Sequence, residues 1–190
     1  MKARKRTGFS LAEILVAIAI LAVVGAVVIP SIGGQLRSGD ESRVQQDLTN
    51  IRAGIEQFLA DVRRYPKSVG QLTTVPTTAH SALVGGVYNS GQVGRWRGPY
   101  ITKDSVFALK TGYDATISSV FDTLSLSTSG LTVAATGIRY MRVYLVGFDS
   151  TNALRLDQKM DDGDLLTGQI RWTVNTAGAD TLFYLTLPVQ

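Results

Sequence analysis

Cysteine is absent from the 190 residues, so no disulfide braces this chain and no thiolate can serve as nucleophile or metal ligand. Histidine occurs once, as His80 beside Ser81 in a polar stretch. That leaves no Cys or His cluster for a transition metal and no nucleophile with a recognisable base and orienting partner. Charge is sparse too: 18% of the residues are charged, where about a quarter is usual, and 45% are hydrophobic. The glycines at 85, 86, 91, 94 and 98 follow neither the GxGxxG nor the P-loop spacing. The sequence reads as that of a non-enzyme without a cofactor.

What is present begins with charge of one sign. Lys2, Arg4, Lys5 and Arg6 crowd the first eight residues and account for the whole net charge of +4. Without them, 19 − 4 leaves 15 basic residues against 15 acidic ones. If this leader is removed, net charge gives no argument for a nucleic-acid partner.

Behind the leader, Phe9–Ile29 is a 21-residue run with a single charge, Glu13, and about 20 apolar residues span a bilayer. In a secretory signal the apolar core precedes a small-residue cleavage site. Here the small residue, Gly8, comes first, so the anchor would survive a cut after it. The basic flank predicts that residues 1–8 stay cytoplasmic. A carboxylate at membrane depth costs on the order of 3 kcal/mol and is usually paired and functional. Cleavage after Gly8 would create an ammonium on Phe9, one helical turn from Glu13. Glu13 could then pair with it in its own chain or in a neighbour's.

The stretch Gly8-Phe9-Ser10-Leu11-Ala12-Glu13, with Pro30 further on, resembles the class III signal of type IV pilins and type II secretion pseudopilins. The resemblance implies that prepilin peptidase cuts between Gly8 and Phe9 and methylates the Phe9 nitrogen. Glu13 and Pro30 then match the family's fifth and twenty-second mature residues. It implies an α+β pilin fold: a long N-terminal helix, membrane-spanning in its first half and amphipathic in its second, packed on a C-terminal antiparallel β-sheet. It further implies a structural subunit of a type II secretion pseudopilus or a type IV pilus-like filament. Its partners would be membrane lipid, an inner-membrane assembly platform, copies of itself and other pilins or pseudopilins. The head would lie in the periplasm, then on a periplasmic or surface filament. The alternative is a minor pilin, a tip module for DNA uptake or adhesion, with Arg139, Arg142, Arg155 and Arg171 as its basic face.

The expected organisation is a cleaved leader at 1–8, a transmembrane and filament-core helix at 9–30, an amphipathic helix at 31–64, an αβ-loop at 65–110 and an antiparallel β-sheet head at 111–190. Val44, Leu48, Ile51, Ile55, Phe58, Leu59 and Val62 recur at helical spacing. Arg43, Gln45, Gln46, Asp47, Asn50, Arg52, Glu56 and Asp61 then form the solvated side. Pro66 ends the helix near Arg64. Gly25 and Pro30 weaken Ala22–Pro30, which is expected to unwind when subunits pack, and Ser31–Asp40, with three glycines, is expected to bend. Tyr65-Pro66 and Trp96-Arg97-Gly98-Pro99-Tyr100-Ile101 resemble elements of major pseudopilins, and Trp96 and Tyr100 should cover Phe58 and Val62.

Alternating residues predict strands at Thr123–Ser127, Leu131–Ala135, Ile138–Phe148, Ile170–Asn175 and Thr181–Leu187. In the third, Ile138, Tyr140, Arg142, Tyr144, Val146 and Phe148 should share one face, and Arg139, Met141, Val143 and Leu145 the other. Asp157, Asp161, Asp162 and Asp164 fall between strands. Major pseudopilins often bind calcium in C-terminal loops, so the resemblance raises that possibility here. The EF-hand frame does not fit, since Gly163 as its sixth residue puts Gln158 and Met160 where carboxylates are needed. Asp-Gly is a common turn, and the segment reads as a turn without an assigned metal.

Overall fold

The computed structural model describes residues 9–102, 109–125, 138–173 and 180–189; the side chains of residues 29–33 and 125 are outside that description. The chain divides into two compact units, Met1–Gly39 and Asp40–Gln190. A single helix, α1, Leu11–Val62, contributes to both.

In the first unit the described residues from Leu11 to Val28 are exposed apart from Gly25, which is half-buried. Helix continues through Pro30 and through Ser31–Asp40, where a bend was expected. Proline removes one backbone donor and each glycine costs about 1 kcal/mol. Propagation from helix already formed on both sides carries the chain across such weak points.

In the second unit, Val44, Leu48, Ile51, Ile55, Phe58 and Val62 are buried, as their spacing predicts, while Leu59 is only half-buried. Asp47 departs from the expected solvated side: it is 6% exposed, and Thr111 Oγ1 donates to its Oδ2 at 2.8 Å. A buried carboxylate needs such a donor, and this one lies 64 residues away. The helix ends as Arg63 turns to φ 57, a left-handed exit. The Arg95 guanidinium then donates to the Asp61 and Val62 carbonyls at 3.2 and 3.1 Å, which α1 itself leaves unpaired.

The connection after α1 carries two four-residue helices, α2 (Gly70–Thr73) and α3 (Ser90–Val93). Its aromatics cover the helix largely as expected. Tyr100 meets Phe58 edge-on at 5.6 Å between ring centroids, and Trp96 meets Tyr100 at 5.5 Å. Trp96 Nε1 donates to the Gln71 carbonyl and Tyr100 Oη to Asp61 Oδ2. The close approach needs Gly54, where a Cβ would lie 2.6 Å from Ile101 Cγ2 and 3.2 Å from the Tyr100 carbonyl.

The sheet is antiparallel throughout, with β1 (Leu109–Lys110), β2 (Thr116–Ile117), β4 (Arg139–Val146), β6 (Thr181–Val189) and β5 (Ile170–Thr173) in that spatial order; β3 (Asp122–Ser125) also pairs with β4. On β4, Met141, Val143 and Leu145 are buried and alternate with more exposed neighbours, which is the expected period of two. Phe148 is the exception. Gly147 adopts φ 88, the strand ends, and Phe148 is buried (1% exposed) against Tyr113. The expected strand at Leu131–Ala135 lies outside the described residues.

Between β4 and β5 the Asp162-Gly163 turn, with Gly163 at φ 80, follows a helix that was not expected, α4, Ser150–Met160. Asp149 caps it by accepting the Asn152 N–H at 2.9 Å. Ala153, Leu156 and Asp157 form its buried stripe, so the first of the four clustered aspartates is a core residue.

Candidate functional site

The N-terminal features begin at Phe9, which is 84% exposed; Gly8, the expected cleavage residue, lies outside the described residues. Ser10 starts α1. Its carbonyl accepts the Ile14 N–H, its hydroxyl accepts the Glu13 N–H at 3.2 Å, and Glu13 Oε2 accepts from the Ser10 N–H at 2.8 Å and its hydroxyl at 3.0 Å. This is a capping box. The S-x-x-E spacing was legible in the sequence but was passed over because Glu13 was read only as a partner for an ammonium. In the uncut chain the Phe9 nitrogen is an amide, and among the described residues only Oε2 of Glu13 is engaged. Downstream, Leu11–Val28 has a mean hydropathy of 2.8 and none of it is buried within the chain. The helix is long and apolar enough to cross a membrane, and Pro30 follows within the same helix.

The arginines read as a possible nucleic-acid face are spent largely within the head. Arg171 is 8% exposed and donates to the Leu166 and Gly168 carbonyls. Arg142 pairs with Asp122 at 2.7 Å and lies 4.6 Å from the centre of the Phe183 ring. Arg139 donates to Thr123 Oγ1 at 2.7 Å. Arg139 and Arg155 are both exposed, and neither is in a described ion pair.

The acidic cluster is organised. Asp161 Oδ2 accepts from the Gln169 N–H and from the Ile170 N–H at 3.0 Å, which draws the loop back onto β5. Asp162 accepts from the Asp164 N–H at 3.0 Å and the Thr167 hydroxyl at 2.7 Å. Gly168 adopts φ 66, and a Cβ there would run into the Asp161 carboxylate. Asp157 lies beneath, fully buried. Burial first, then the carboxylates of Asp161, Asp162 and Asp164, push it up to about 6. The Gly163 amide opposes that rise weakly and lies outside hydrogen-bonding geometry.

An exposed apolar helix that opens on a capped glutamate and ends in a helix-on-sheet head defines a membrane-anchored protein of the pilin fold. A family profile described as the prokaryotic N-terminal methylation motif matches residues 3–29, and the chain is similar to proteins named type II secretion system core protein G. It is 27% identical over 106 residues to the type II secretion system core protein G of Aeromonas hydrophila, covering 53% of this chain and 74% of that protein. It is 32% identical over 78 residues to the protein of the same name from Dickeya chrysanthemi, covering 40% and 51%, and 33% identical over 63 residues to that of Klebsiella pneumoniae, covering 33% and 45%. The chain thus spans about half the length of the latter two relatives. No solved structure matches it.

Proposed function

We propose that this chain is a structural subunit of a type II secretion pseudopilus, made as an inner-membrane precursor. Prepilin peptidase cuts it between Gly8 and Phe9, and the new Phe9 nitrogen is methylated. The basic leader holds the N-terminus in the cytoplasm and leaves the head in the periplasm. The observation that carries this reading is the helical segment Leu11–Val28, apolar and wholly unburied within its own chain, with one carboxylate, Glu13, in its first turn. Lipid covers such a surface before assembly, and the helices of other copies or of other pseudopilins cover it afterwards.

In the assembled filament Glu13 receives the Phe9 ammonium of a neighbouring subunit. The capping box survives cleavage, because the Phe9–Ser10 bond is not cut, and it holds the carboxylate at the helix start with Oε1 available. Water is excluded there, so a subunit lacking the partner would bury a charge at a cost of several kcal/mol. Pro30 supplies the weak point at which the helix can rearrange as subunits pack on the assembly platform. Mass spectrometry of the mature N-terminus tests the processing. The expected result is Phe9 at the terminus, heavier by about 14 Da, one added methyl group. A chain that keeps Met1 through assembly would overturn the reading.

A further inference from the structure

We propose that the open edge of β6 binds the C-terminal end of an extended, apolar peptide from another protein, with its α-carboxylate held by Arg52 and Gln169. The edge is open because the two neighbours of β6 differ in length. β5 pairs only with Thr181–Tyr184 of the nine-residue β6, whereas β4 pairs with β6 as far as Val189. The Leu185 N–H still donates to the Gln169 carbonyl at 2.8 Å. In an antiparallel ladder the Leu185 carbonyl faces the same side and takes the Gln169 N–H in return. Here that N–H goes to Asp161 Oδ2 instead, which leaves the carbonyl at the edge as an acceptor. Leu185 is only 3% exposed, and buried carbonyls are normally paired.

A groove of about 390 Å³ lies along this stretch, lined among others by Arg52, Tyr140, Gln169, Leu185, Thr186 and Pro188. That volume is in the range of ligand sites. Tyr140, Leu185 and Pro188 give it apolar surface. Its lining has one cation, Arg52, and no carboxylate. Arg52 Nε donates to Glu56 at 3.0 Å, Nη1 donates to Gln169 Oε1 at 2.9 Å, and the Tyr184 hydroxyl takes a third N–H. These contacts hold the guanidinium in place and leave about two of its five N–H donors. With Oε1 of Gln169 turned to Arg52, the amide nitrogen of the same side chain adds further donors. A planar guanidinium with spare N–H groups suits a carboxylate.

Direction decides which end of the peptide arrives there. β5 runs antiparallel to β6, and its first residue, Ile170, lies opposite Tyr184. A peptide that extends this ladder antiparallel to β6 ends with its carboxylate at Gln169 and Arg52. A parallel peptide would bring its ammonium to the guanidinium, and like charges repel. Pro188 has no N–H, and its carbonyl accepts the Tyr65 hydroxyl at 2.8 Å. The ladder therefore stops there, and Leu185–Leu187 opposes about three ligand residues. Strand addition at a sheet edge and capture of a terminal carboxylate are established modes of peptide recognition.

The test uses the full-length chain in non-ionic detergent, with empty micelles as the blank. Fluorescence anisotropy follows the probe dansyl-Gly-Val-Thr-Val with a free C-terminus and, separately, its C-terminal amide. The expected result is saturable binding of the acid with Kd below about 1 mM. The amide should bind at least about tenfold more weakly, the order expected for loss of a charged hydrogen-bond partner. Gln169→Glu keeps an acceptor for Arg52 and sets a negative charge against the ligand, so it should weaken binding of the acid at least about tenfold. Arg155→Gln, which removes an exposed cation outside the groove, should bind as the parent does. No saturable binding, equal binding of acid and amide, or undiminished binding by Gln169→Glu overturns the proposal. So does a dimer of the chain that Gln169→Glu dissociates, since a second copy would then fill the groove. No step needs a filament, so the outcome is independent of the subunit reading.

Discussion

Glu13 and Asp157 are two carboxylates in opposite kinds of surroundings. Glu13 is exposed within its chain yet belongs to a segment long and apolar enough to cross a membrane, and the chain supplies a partial answer at once through the Ser10 N–H and hydroxyl. Asp157 is removed from water by its own fold and receives no hydrogen bond. Both are costly without a partner, but the relief differs. In the proposed filament Glu13 meets the amine created on another copy by processing; Asp157 takes up a proton more readily, its pKa pushed up to about 6.

The largest effect expected separates the two. Glu13→Ala should lower incorporation into filaments at least about tenfold, from the several kcal/mol attached to an unmatched buried charge. The precursor should stay membrane-bound, with the unfolding midpoint of the head unchanged. Filament yield, measured beside thermal unfolding, checks both halves; normal yield would sink the pairing role of Glu13. Next comes Gly168→Ala. It strains a φ of 66 and drives a methyl into the Asp161 carboxylate, so the head should lose about 1–3 kcal/mol. Chemical denaturation reads this directly, and filament yield should fall only as far as stability does.

How legible these regions were follows the same divide. The N-terminal motif and the stripe from Val44 to Val62 are local and periodic, so sequence spacing exposes them. The β4 alternation is equally local. Asp47 was misplaced because the residue that satisfies it, Thr111, is remote in the chain. Helix α4 was missed for a related reason. Its buried stripe, Ala153, Leu156 and Asp157, has a carboxylate at a core position, which breaks the hydrophobic pattern, and Ser150, Thr151 and Asn152 are weak helix formers. The Asp149 cap was the available signal. Phe148 turned inward because Gly147 takes a positive φ, which alternation alone does not reveal. The role of Gly168 depends on Asp161, seven residues earlier, and appears only once the loop folds back.

Asp157→Asn sharpens the comparison from the side of the head. At pH 7 the substitution removes a buried carboxylate whose folded-state pKa is raised to about 6. A raised carboxylate pKa means that folding is penalised once pH passes the unfolded value near 4, with the full penalty present at pH 7. The neutral amide should therefore stabilise the head, by about 1–2 kcal/mol after allowance for an amide that is itself imperfectly bonded. The gain should shrink as pH falls from about 6 to below about 4, where the parent's carboxyl is protonated in both states. Denaturation midpoints at pH 7 and at low pH would show the change, and a variant less stable than the parent at pH 7 would mean that Asp157 has a structural partner.

The smallest effect belongs to Ser10. Replacing it with Ala removes the hydroxyl from the capping box but leaves its N–H bonded to Glu13. The cost should be about 1 kcal/mol, confined to the first turn of α1. Hydrogen exchange of the amides from Ala12 to Ile14 in the detergent-solubilised chain should rise several-fold, while filament yield falls much less than in Glu13→Ala. That inequality is the point of the experiment. If Glu13 served mainly as the helix cap, the two substitutions would damage assembly alike, since each dismantles the same box. If it serves mainly as the acceptor for a neighbour's amine, loosening the cap only makes the carboxylate less well placed, and most of the filament survives.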